Sequence, residues 1–366
     1  MIKIEKKENC SGCKACFNIC PVNAIYFEED KLGFKYPAID DSKCIKCGVC
    51  KNTCPIFSPK ENILKIQPKA YAVKILNDEI RAKSSSGGVF SLLAESIIKD
   101  GGVVFGAAFD NEFNVYHTYV DNINNLDILR GSKYVQSDIG DTFIKVKDFL
   151  EEGRKVLFTG TPCQIAGLNS FLRKEYKNLY MQDFICHGVP SNTFWKRYLE
   201  YRRSIDKDTP IEISFREKNP EWSKFSVMFK YKDKTILEQH RENIYMLAFL
   251  KNISLRDSCY ACNFKTLNKV ADITLADFWG IKNICPKMDD KKGTSLVILN
   301  SEKGEALFNQ LSEAMEAEEV NLYDAIQDNT PIIESVYKNE NRDKFIRELD
   351  LLDIETLVKK YCINRK

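Results

Sequence analysis

The feature that most constrains this 366-residue sequence is a cysteine motif that occurs twice near the N-terminus. The motif reads C-x2-C-x2-C-x3-C-P, and it begins at Cys10 and again at Cys44. Closely spaced cysteines can hold three corners of a 4Fe–4S cluster, while the fourth cysteine of each run reaches the cluster of the other run. We therefore predict two such clusters, held by Cys10, Cys13, Cys16 and Cys54 and by Cys44, Cys47, Cys50 and Cys20.

Zinc is the alternative ligand, because structural zinc sites also use C-x2-C pairs in groups of four. Two complete runs, each followed by proline at Pro21 or Pro55, favour iron–sulfur clusters instead. Disulfides are disfavoured, since the N-terminus lacks the apolar stretch of a secretory signal. Residues 1–66, which we call the head, resemble the bacterial two-cluster ferredoxin, and that resemblance implies one-electron relay.

The overall charge argues against general nucleic acid or membrane binding, since 54 basic residues stand against 52 acidic ones. No apolar run reaches the ~18–20 residues that span a bilayer, so we expect a cytoplasmic protein. The head has 11 lysines, no arginine and 8 acidic residues, hence a net charge of +3. This surplus suits an acidic redox partner such as a free ferredoxin, although scattered solvated lysines explain it equally well.

Residues 67–320, which we call the body, alternate between short apolar runs and amphipathic helices, as is typical of an α/β domain. Residues 58–67 predict a linker before it. Strands are predicted at 71–75, 103–109, 156–158, 181–185, 211–215, 226–231 and 295–299, and helices at 89–98, 143–150, 165–174 and 305–316. The tail, residues 321–366, is predicted to be mostly helical. The predicted fold is an α+β ferredoxin head, an α/β body and a helical C-terminal tail.

Further cysteines fall where ligands gather in such a fold. Cys163 follows a predicted strand and a sharp turn, and Cys186 follows the next strand. Strand ends of an open α/β sheet share one edge, so these residues together with the pair Cys259 and Cys262 make a four-thiolate set. We predict a third 4Fe–4S cluster there. The alternative is that these four residues are inert buried cysteines. If the cluster forms, Cys285 is a reserve ligand for it.

Two turns offer free backbone N–H groups to a phosphate. One is the run Ser84–Gly88 before the helix at Val89, and the other is residues 159–161. Either turn could be a simple helix cap. The sequence contains neither G-x-G-x-x-G nor G-x4-G-K-[ST], which disfavours a conventional dinucleotide fold or P-loop.

The body resembles the beta subunit of coenzyme F420-reducing hydrogenases and dehydrogenases. The resemblance spans most of residues 70–300 and is carried by KSSSGGVFSLLA (83–94), GSKYVQS (131–137), FTGTPCQIAGL (158–168), DFICHGVPS (183–191), CYACNFKTLNKVADITLADFWG (259–280) and KGTSLVILN (292–300). It implies a flavin-binding α/β fold that holds FAD beside a 4Fe–4S cluster. It further implies that Ser86, Gly87 and Gly88 hold FAD phosphate and that Thr161 and Gln164 line the flavin.

Three residues are candidates for the chemistry that the resemblance implies. Lys133 would meet a phosphate or a flavin carbonyl, His187 would transfer protons, and Asp277 would relay them. A surface lysine and a turn-capping aspartate are the alternatives for Lys133 and Asp277. The predicted function is an iron–sulfur flavoprotein oxidoreductase acting on coenzyme F420 or another small organic substrate, as in a ferredoxin-dependent reductase. The alternative is an electron-transfer subunit that feeds a separate catalytic partner and has no substrate of its own.

Overall fold

The computed structural model describes residues 1–59 and 66–363. Part of the predicted linker, residues 60–65, lies outside the described residues. The head contains two short helices and one antiparallel hairpin: α1 Ala15–Asn18, α2 Val49–Thr53, β1 Ile25–Glu29 and β2 Lys35–Ile39. The hairpin leads from one cysteine run to the other, so that the two runs lie together and their helices α1 and α2 are in contact.

The two cysteine runs share one backbone shape. Gly12 and Lys46, the residues before the second cysteine of each run, have φ of 74° and 55°. Lys14 and Gly48, the residues after it, have φ of 60° and 74° and precede α1 and α2. Left-handed backbone at two positions wraps each run into a tight loop, and glycine occupies a different one of the two positions in each run.

Most strands of the body form one sheet of eight. In chain order the strands are β3 Lys69–Ile75, β4 Val103–Phe109, β5 Val115–Val120, β6 Val156–Thr159, β7 Leu179–Phe184, β8 Glu212–Glu217, β9 Ser226–Lys230, β10 Thr235–Gln239, β11 Ile273–Asp277, β12 Ser295–Leu299 and β13 Met315–Val320. The large sheet has the order β13-β3-β12-β11-β7-β6-β4-β5, and β8, β9 and β10 form a small antiparallel sheet. The central run β4-β6-β7-β11 is parallel, so the carboxyl ends of these strands lie at one edge.

Helices cover both faces of the large sheet. In chain order they are α3 Asp78–Ala82, α4 Val89–Lys99, α5 Thr142–Glu151, α6 Pro162–Leu172, α7 Asn192–Asp206, α8 Ile244–Leu250, α9 Ile281–Ile284, α10 Glu302–Asn309, α11 Leu322–Ala325, α12 Arg342–Glu348 and α13 Ile354–Cys362. Leu157 packs in one apolar core with α4, and its neighbour Phe158 packs in another with α5 and α6. This alternation is what a strand buried on both sides requires.

A third apolar core joins the three parts of the chain. It contains Leu32 and Phe34 from the head, Trp195 and Tyr245 from the body, and Leu357 from the tail. Because large aromatic side chains bury much of the contact area, this core fixes the head against the body. Among the described residues, no helix combines the length and the apolar character needed to cross a membrane.

The mixed α/β architecture and the helical tail confirm the coarse fold prediction. The strands predicted at 103–109 and 295–299 have those bounds in the structure. The helix predicted at 305–316 is wrong in its second half, because α10 ends at Asn309 and Met315 begins β13. Residues 315–320 are rich in good helix formers, but pairing with the exposed edge of β3 overrides that local preference.

Candidate functional site

The predicted ligands of the first head cluster come together. Burial is the main reason that the pKa of Cys16 lies well above its usual value, and the neighbouring thiols of Cys13, Cys10 and Cys54 raise it further. Burial likewise raises the pKa of Cys13 to about 12. Thiols that raise each other's pKa in a buried space become stable thiolates only when a metal offsets their charge. The arrangement fits the predicted cluster.

The second cysteine run lies on the solvent side of the head. Cys47 is exposed, whereas Cys50 and Cys20 are half-buried. The backbone N–H of Ile2 donates to Cys50 Sγ at 3.3 Å, and that of Ala24 donates to Cys20 Sγ at 3.3 Å. Amide donors of this kind stabilise the negative charge of cluster ligands.

The body cysteines line one cavity at the carboxyl edge of the parallel strands. Its lining includes all four predicted ligands, Cys163, Cys186, Cys259 and Cys262. Ser11 and Ile56 of the head close another side of the same cavity. The parallel strands β6 and β7 end just before Cys163 and Cys186, so the edge position follows from the fold. The structure thus places the third thiolate set directly beneath the head.

Contacts within this cavity suit a cluster of several iron atoms. Thr161 Oγ1 lies 3.1 Å from Cys163 Sγ, and the N–H of Val189 donates to Cys259 Sγ at 3.4 Å. Burial raises the pKa of Cys163 and Cys259 to about 12. The donor set is four thiols that line one cavity, and a 4Fe–4S cluster uses one thiolate for each iron.

The head and the body cavity are connected through α6. Cys163 lies in the first turn of this helix, and Gly167 follows one turn later on the same face. A Cβ atom at Gly167 would lie 2.9 Å from Cys13 Cβ and 3.0 Å from Cys13 Sγ. The glycine therefore lets a head ligand approach the helix that carries a body ligand.

Ion pairs also hold the head in place. Asp138 of the body accepts hydrogen bonds from Lys14 and from Lys35, the latter at 2.9 Å. Burial on its own would raise the pKa of Asp138, but the two lysines lower it to about 2. The carboxylate therefore stays charged across the physiological range and joins the head to the body.

A larger cavity of about 640 Å³ adjoins the first one. It shares Cys163 and Cys186 with the cysteine cavity. Its size is that of a typical cofactor or substrate pocket. Its lining brings together seven of the eight predicted flavin and catalytic residues, namely Ser86, Gly88, Lys133, Thr161, Gln164, His187 and Asp277.

The predicted phosphate turn is only partly free to bind a ligand. Gly88 caps α4 in left-handed backbone and has no side chain of its own to bond the first turn of the helix. Ser86 Oγ donates to the Thr294 carbonyl at 2.9 Å. Gly87, the one predicted residue that does not line the cavity, packs against β3 and donates its N–H to Ser295 Oγ at 3.0 Å. Gly87 thus serves packing, while the N–H groups after Gly88 face the cavity end of α4.

Thr161 and Gln164 form a capping box at the start of α6. Gln164 Nε2 also donates to Ser137 Oγ at 2.9 Å, and Ser137 Oγ lies 2.8 Å from His117 Nδ1. Burial lowers the pKa of His117 to about 4, so its ring is neutral near pH 7. These side chains form a continuous hydrogen-bonded network from α6 through Ser137 to His117 in β5, and they all line the large cavity.

The catalytic candidates have different surroundings. Lys133 Nζ donates to three carbonyls of its own loop, at 2.8, 3.0 and 3.3 Å, and burial lowers its pKa to about 7. His187 Nε2 lies 2.6 Å from Asn252 Oδ1, and burial lowers its pKa. Asp277 accepts from Arg216 at 2.7 Å, so its carboxylate is already engaged in an ion pair.

The reserve ligand lies elsewhere. Cys285 is buried in a separate apolar core with Ile281 and Met288, and it lines neither cavity. It is therefore not a member of the four-thiolate set in this structure.

Comparison with known families follows the division seen in the structure. Residues 9–57 match the 4Fe-4S dicluster domain, and residues 153–324 match the family described as the C terminus of the coenzyme F420 hydrogenase/dehydrogenase beta subunit. The match to the F420 hydrogenase/dehydrogenase beta subunit is thus carried by residues 153–324. The N-terminal part of the chain is a two-cluster ferredoxin domain, and both predicted resemblances are confirmed.

Several known proteins are similar to this chain. A coenzyme F420-dependent sulfite reductase of Methanocaldococcus jannaschii is 25% identical over 85% of this chain and 47% of its own length. An uncharacterized protein of the same organism is 28% identical over 45% of this chain and 53% of its own. This chain thus spans about half the length of these relatives. A chain of the F420-reducing [NiFe] hydrogenase complex from Methanosarcina barkeri aligns with a TM-score of 0.48 and 14% identity, covering 81% of this chain and 91% of its own.

Two buried arginines are absent from the predicted site residues. Arg216 is 6% exposed, and its guanidinium lies 4.1 Å from the centre of the Phe225 ring. Strand alternation would place it opposite buried Phe215, but a register shift between Ser214 and Glu217 turns both side chains inward. The other is Arg256, which is 1% exposed and lies between the head and the cysteine cavity. Its sequence signal is its position three residues before Cys259.

Proposed function

We propose that this chain is an iron–sulfur flavoprotein oxidoreductase that connects a protein redox partner to a two-electron organic substrate. The observation that carries the proposal is the shared wall of the two cavities. Cys163 and Cys186 line both the cysteine cavity and the 640 Å³ cavity, so a cofactor in one lies next to a cluster in the other. Bound flavin would exchange two electrons with an organic partner and single electrons with iron–sulfur centres.

The residues around the large cavity suit an FAD. The free start of α4 after Gly88 offers N–H groups to a phosphate. Arg216 lines the cavity, and its buried Nε has no hydrogen-bond partner among the described residues. A buried donor without an acceptor is costly, so a bound anion or carbonyl would satisfy it. Thr161 and Gln164 would border the flavin on the side of the cysteines.

His187 would handle the proton that accompanies two-electron chemistry. Since Asn252 Oδ1 can only accept, His187 Nε2 carries the ring proton, and Nδ1 is left free to take another. The lowered pKa keeps the ring neutral near pH 7, which is the form of a general base. Asp277 holds Arg216 in place rather than relaying protons itself.

The outer end of the electron path would be the second cysteine run. Cys47 and the adjacent Ile45 and Lys46 are exposed, and residues 42–60 contain four lysines and no acidic residue. An acidic redox protein would dock there. The buried first run and α6 would then connect this surface to the body.

The test of the flavin and its substrate uses the chain purified without oxygen and loaded with iron, sulfide and FAD. Reduced coenzyme F420 is added while flavin and cluster absorbance are followed. Rapid bleaching of both identifies F420 as the two-electron partner. If reduced ferredoxin bleaches the absorbance and reduced F420 does not, electrons enter through the head and the flavin acts on another substrate. Failure to retain FAD after gel filtration overturns the flavin assignment.

The third cluster is tested with a matched pair of variants. Cys259→Ala should lose one cluster's share of iron and should block electron passage between flavin and head. Cys285→Ala is the control, because that cysteine is also shielded from solvent but lies in another core. If Cys259→Ala keeps the iron content of the Cys285→Ala control, the third-cluster assignment is wrong.

A second candidate function is an electron-transfer subunit without a substrate of its own. The observation that favours it is the family match, since residues 153–324 match the C terminus of a beta subunit, which is one part of a larger enzyme. The fused ferredoxin domain favours a self-sufficient chain instead. Turnover of an artificial acceptor by the isolated, loaded chain supports the enzyme. Turnover only after addition of a partner protein supports the electron-transfer role.

A further inference from the structure

A buried arginine joins the two sets of inner cysteine ligands. Arg256 is 1% exposed. Its Nε donates to the Cys10 carbonyl at 2.8 Å, and its Nη2 lies 3.6 Å from Cys10 Sγ. Nη1 donates to Gln136 Oε1 at 3.0 Å, and Nη2 donates to the Lys35 carbonyl at 2.9 Å. The guanidinium is thus fixed by four contacts, one of which is the sulfur of a head ligand.

The backbone of the same residue supports the body ligands. The Arg256 carbonyl accepts the N–H of Cys259 at 2.9 Å, and its own N–H donates to the Val189 carbonyl at 2.9 Å. Val189 in turn donates its N–H to Cys259 Sγ. One residue therefore contacts a ligand of the head cluster through its side chain and a ligand of the body cavity through its main chain.

In the described part of the chain, the charge of Arg256 is not paired with a carboxylate. Within residues 1–59 and 66–363, no Asp or Glu oxygen lies within ion-pair distance of its guanidinium, and all its acceptors are carbonyl or amide oxygens apart from the thiol. The nearby Asp257 pairs with Arg342 instead, at 3.0 Å. A buried cation is costly unless it faces an anion. On the head side the guanidinium contacts Cys10 Sγ. On the body side, burial raises the pKa of Cys163 and Cys259, and the positive charge of Arg256 opposes that rise.

We propose that Arg256 is the shared counterion of two clusters, the head cluster at Cys10, Cys13, Cys16 and Cys54 and the body cluster at Cys163, Cys186, Cys259 and Cys262. It is a positioning residue, and it raises the reduction potential of both clusters. The reason is that reduction adds one negative charge to a cluster, so a nearby cation stabilises the reduced form more than the oxidised form. The part that concerns the body cluster rests on the proposed function, whereas the part that concerns the head cluster does not.

The test is an anaerobic redox titration of the iron-loaded full chain, followed by electron paramagnetic resonance. Arg256→Met removes the positive charge, whereas Arg256→Lys keeps the charge but can make fewer hydrogen bonds. The outer head cluster at Cys44, Cys47, Cys50 and Cys20 is the internal reference. We expect Arg256→Met to lower the reduction potential of the two inner clusters relative to the reference cluster. The electron equilibrium should shift at least tenfold toward the reference cluster, about 59 mV for one electron. Arg256→Lys should recover most of that shift.

Arg342→Met is the matched control, since this arginine is 4% exposed and bonds the adjacent Leu255 carbonyl but pairs with Asp257. It should leave all three potentials in place. If Arg256→Met loses iron, Arg256→Gln gives the same test with a neutral side chain that can still bond the Cys10 carbonyl. The proposal is overturned if the potentials of the inner clusters do not change in fully loaded Arg256→Met or Arg256→Gln. It is also overturned if the potential of the reference cluster shifts by the same amount. A wild-type chain with only two clusters overturns the proposed body cluster, and the head measurement then still decides the role of Arg256.

Discussion

The closeness of head and body at the first cysteine run leads to a prediction that two glycines isolate. Gly12 and Gly48 share a φ of 74°, so an alanine carries the same backbone penalty at either position, about 1–2 kcal/mol. Their surroundings differ. A Cβ atom at Gly12 would lie 2.9 Å from Gln136 Nε2 and 3.0 Å from Arg256 Nη1, whereas a Cβ atom at Gly48 meets no described atom within 4 Å.

The expected difference between the two variants follows from those contacts. Crowding a packed site costs typically about 1–3 kcal/mol, and Gln136 and Arg256 cannot simply rotate away because each is hydrogen-bonded. Moving Gln136 would also weaken its bond to the Ser11 carbonyl, a net loss of about 1 kcal/mol. Gly12→Ala should therefore be less stable than Gly48→Ala by roughly 2–4 kcal/mol, the sum of these two costs.

The assay is urea denaturation of both iron-loaded variants without oxygen, with cluster absorbance as the signal. A sharper test replaces each glycine by the lysine that occupies the equivalent position of the other cysteine run. Gly48→Lys copies Lys14 of the first run and should be tolerated. Gly12→Lys copies Lys46 of the second run but should disrupt the packing of the head against the body. Equal midpoints for Gly12→Ala and Gly48→Ala would show that the body does not close tightly on this loop.

Three further predictions concern the same surfaces. Asp138 has a pKa of about 2, below its ordinary value near 3.9, so the stability that its charge provides is lost as the pH falls from about 4 to 2. In Asp138→Asn, the free energy of unfolding should change less over that pH range than in the wild-type chain. His117 has a pKa of about 4, below the ordinary value of 6.5, so the contribution of its neutral ring to the free energy of unfolding is lost as the pH falls from 6.5 to 4. Proton NMR should find the ring neutral at pH 6. Gly167→Ala should push Cys13 from α6 and speed loss of iron to a chelator, and an unchanged rate would contradict the close approach.

The sequence predicted the head well because its constraint is local. Each cluster takes three ligands from one short run, so spacing alone identifies them. The strands of the central parallel run are also readable, since burial on both faces gives short continuous apolar segments such as residues 103–109. The edge strand 315–320 has no such pattern, and only its pairing with β3 makes it a strand.

The residues that sequence reasoning missed depend on contacts between distant segments. Arg256 gains its role from a head that lies 246 residues earlier in the chain. Arg216 is turned inward by an irregular strand, and Gly87 is fixed by a serine 208 residues away. Periodicity describes one element at a time, so it cannot show which elements meet.

Burial explains why the inner clusters need a cation. A cluster surrounded by protein loses the water that would stabilise its reduced form, so the desolvated first run should have a lower potential than the exposed second run. With such a difference, electrons would collect at the outer cluster near Cys47 and reach the body only uphill. Arg256 adds a fixed positive charge on the inner side, where no carboxylate of the described residues neutralises it. The same residue that closes the head onto the body thereby opposes the effect of that closure on the potential.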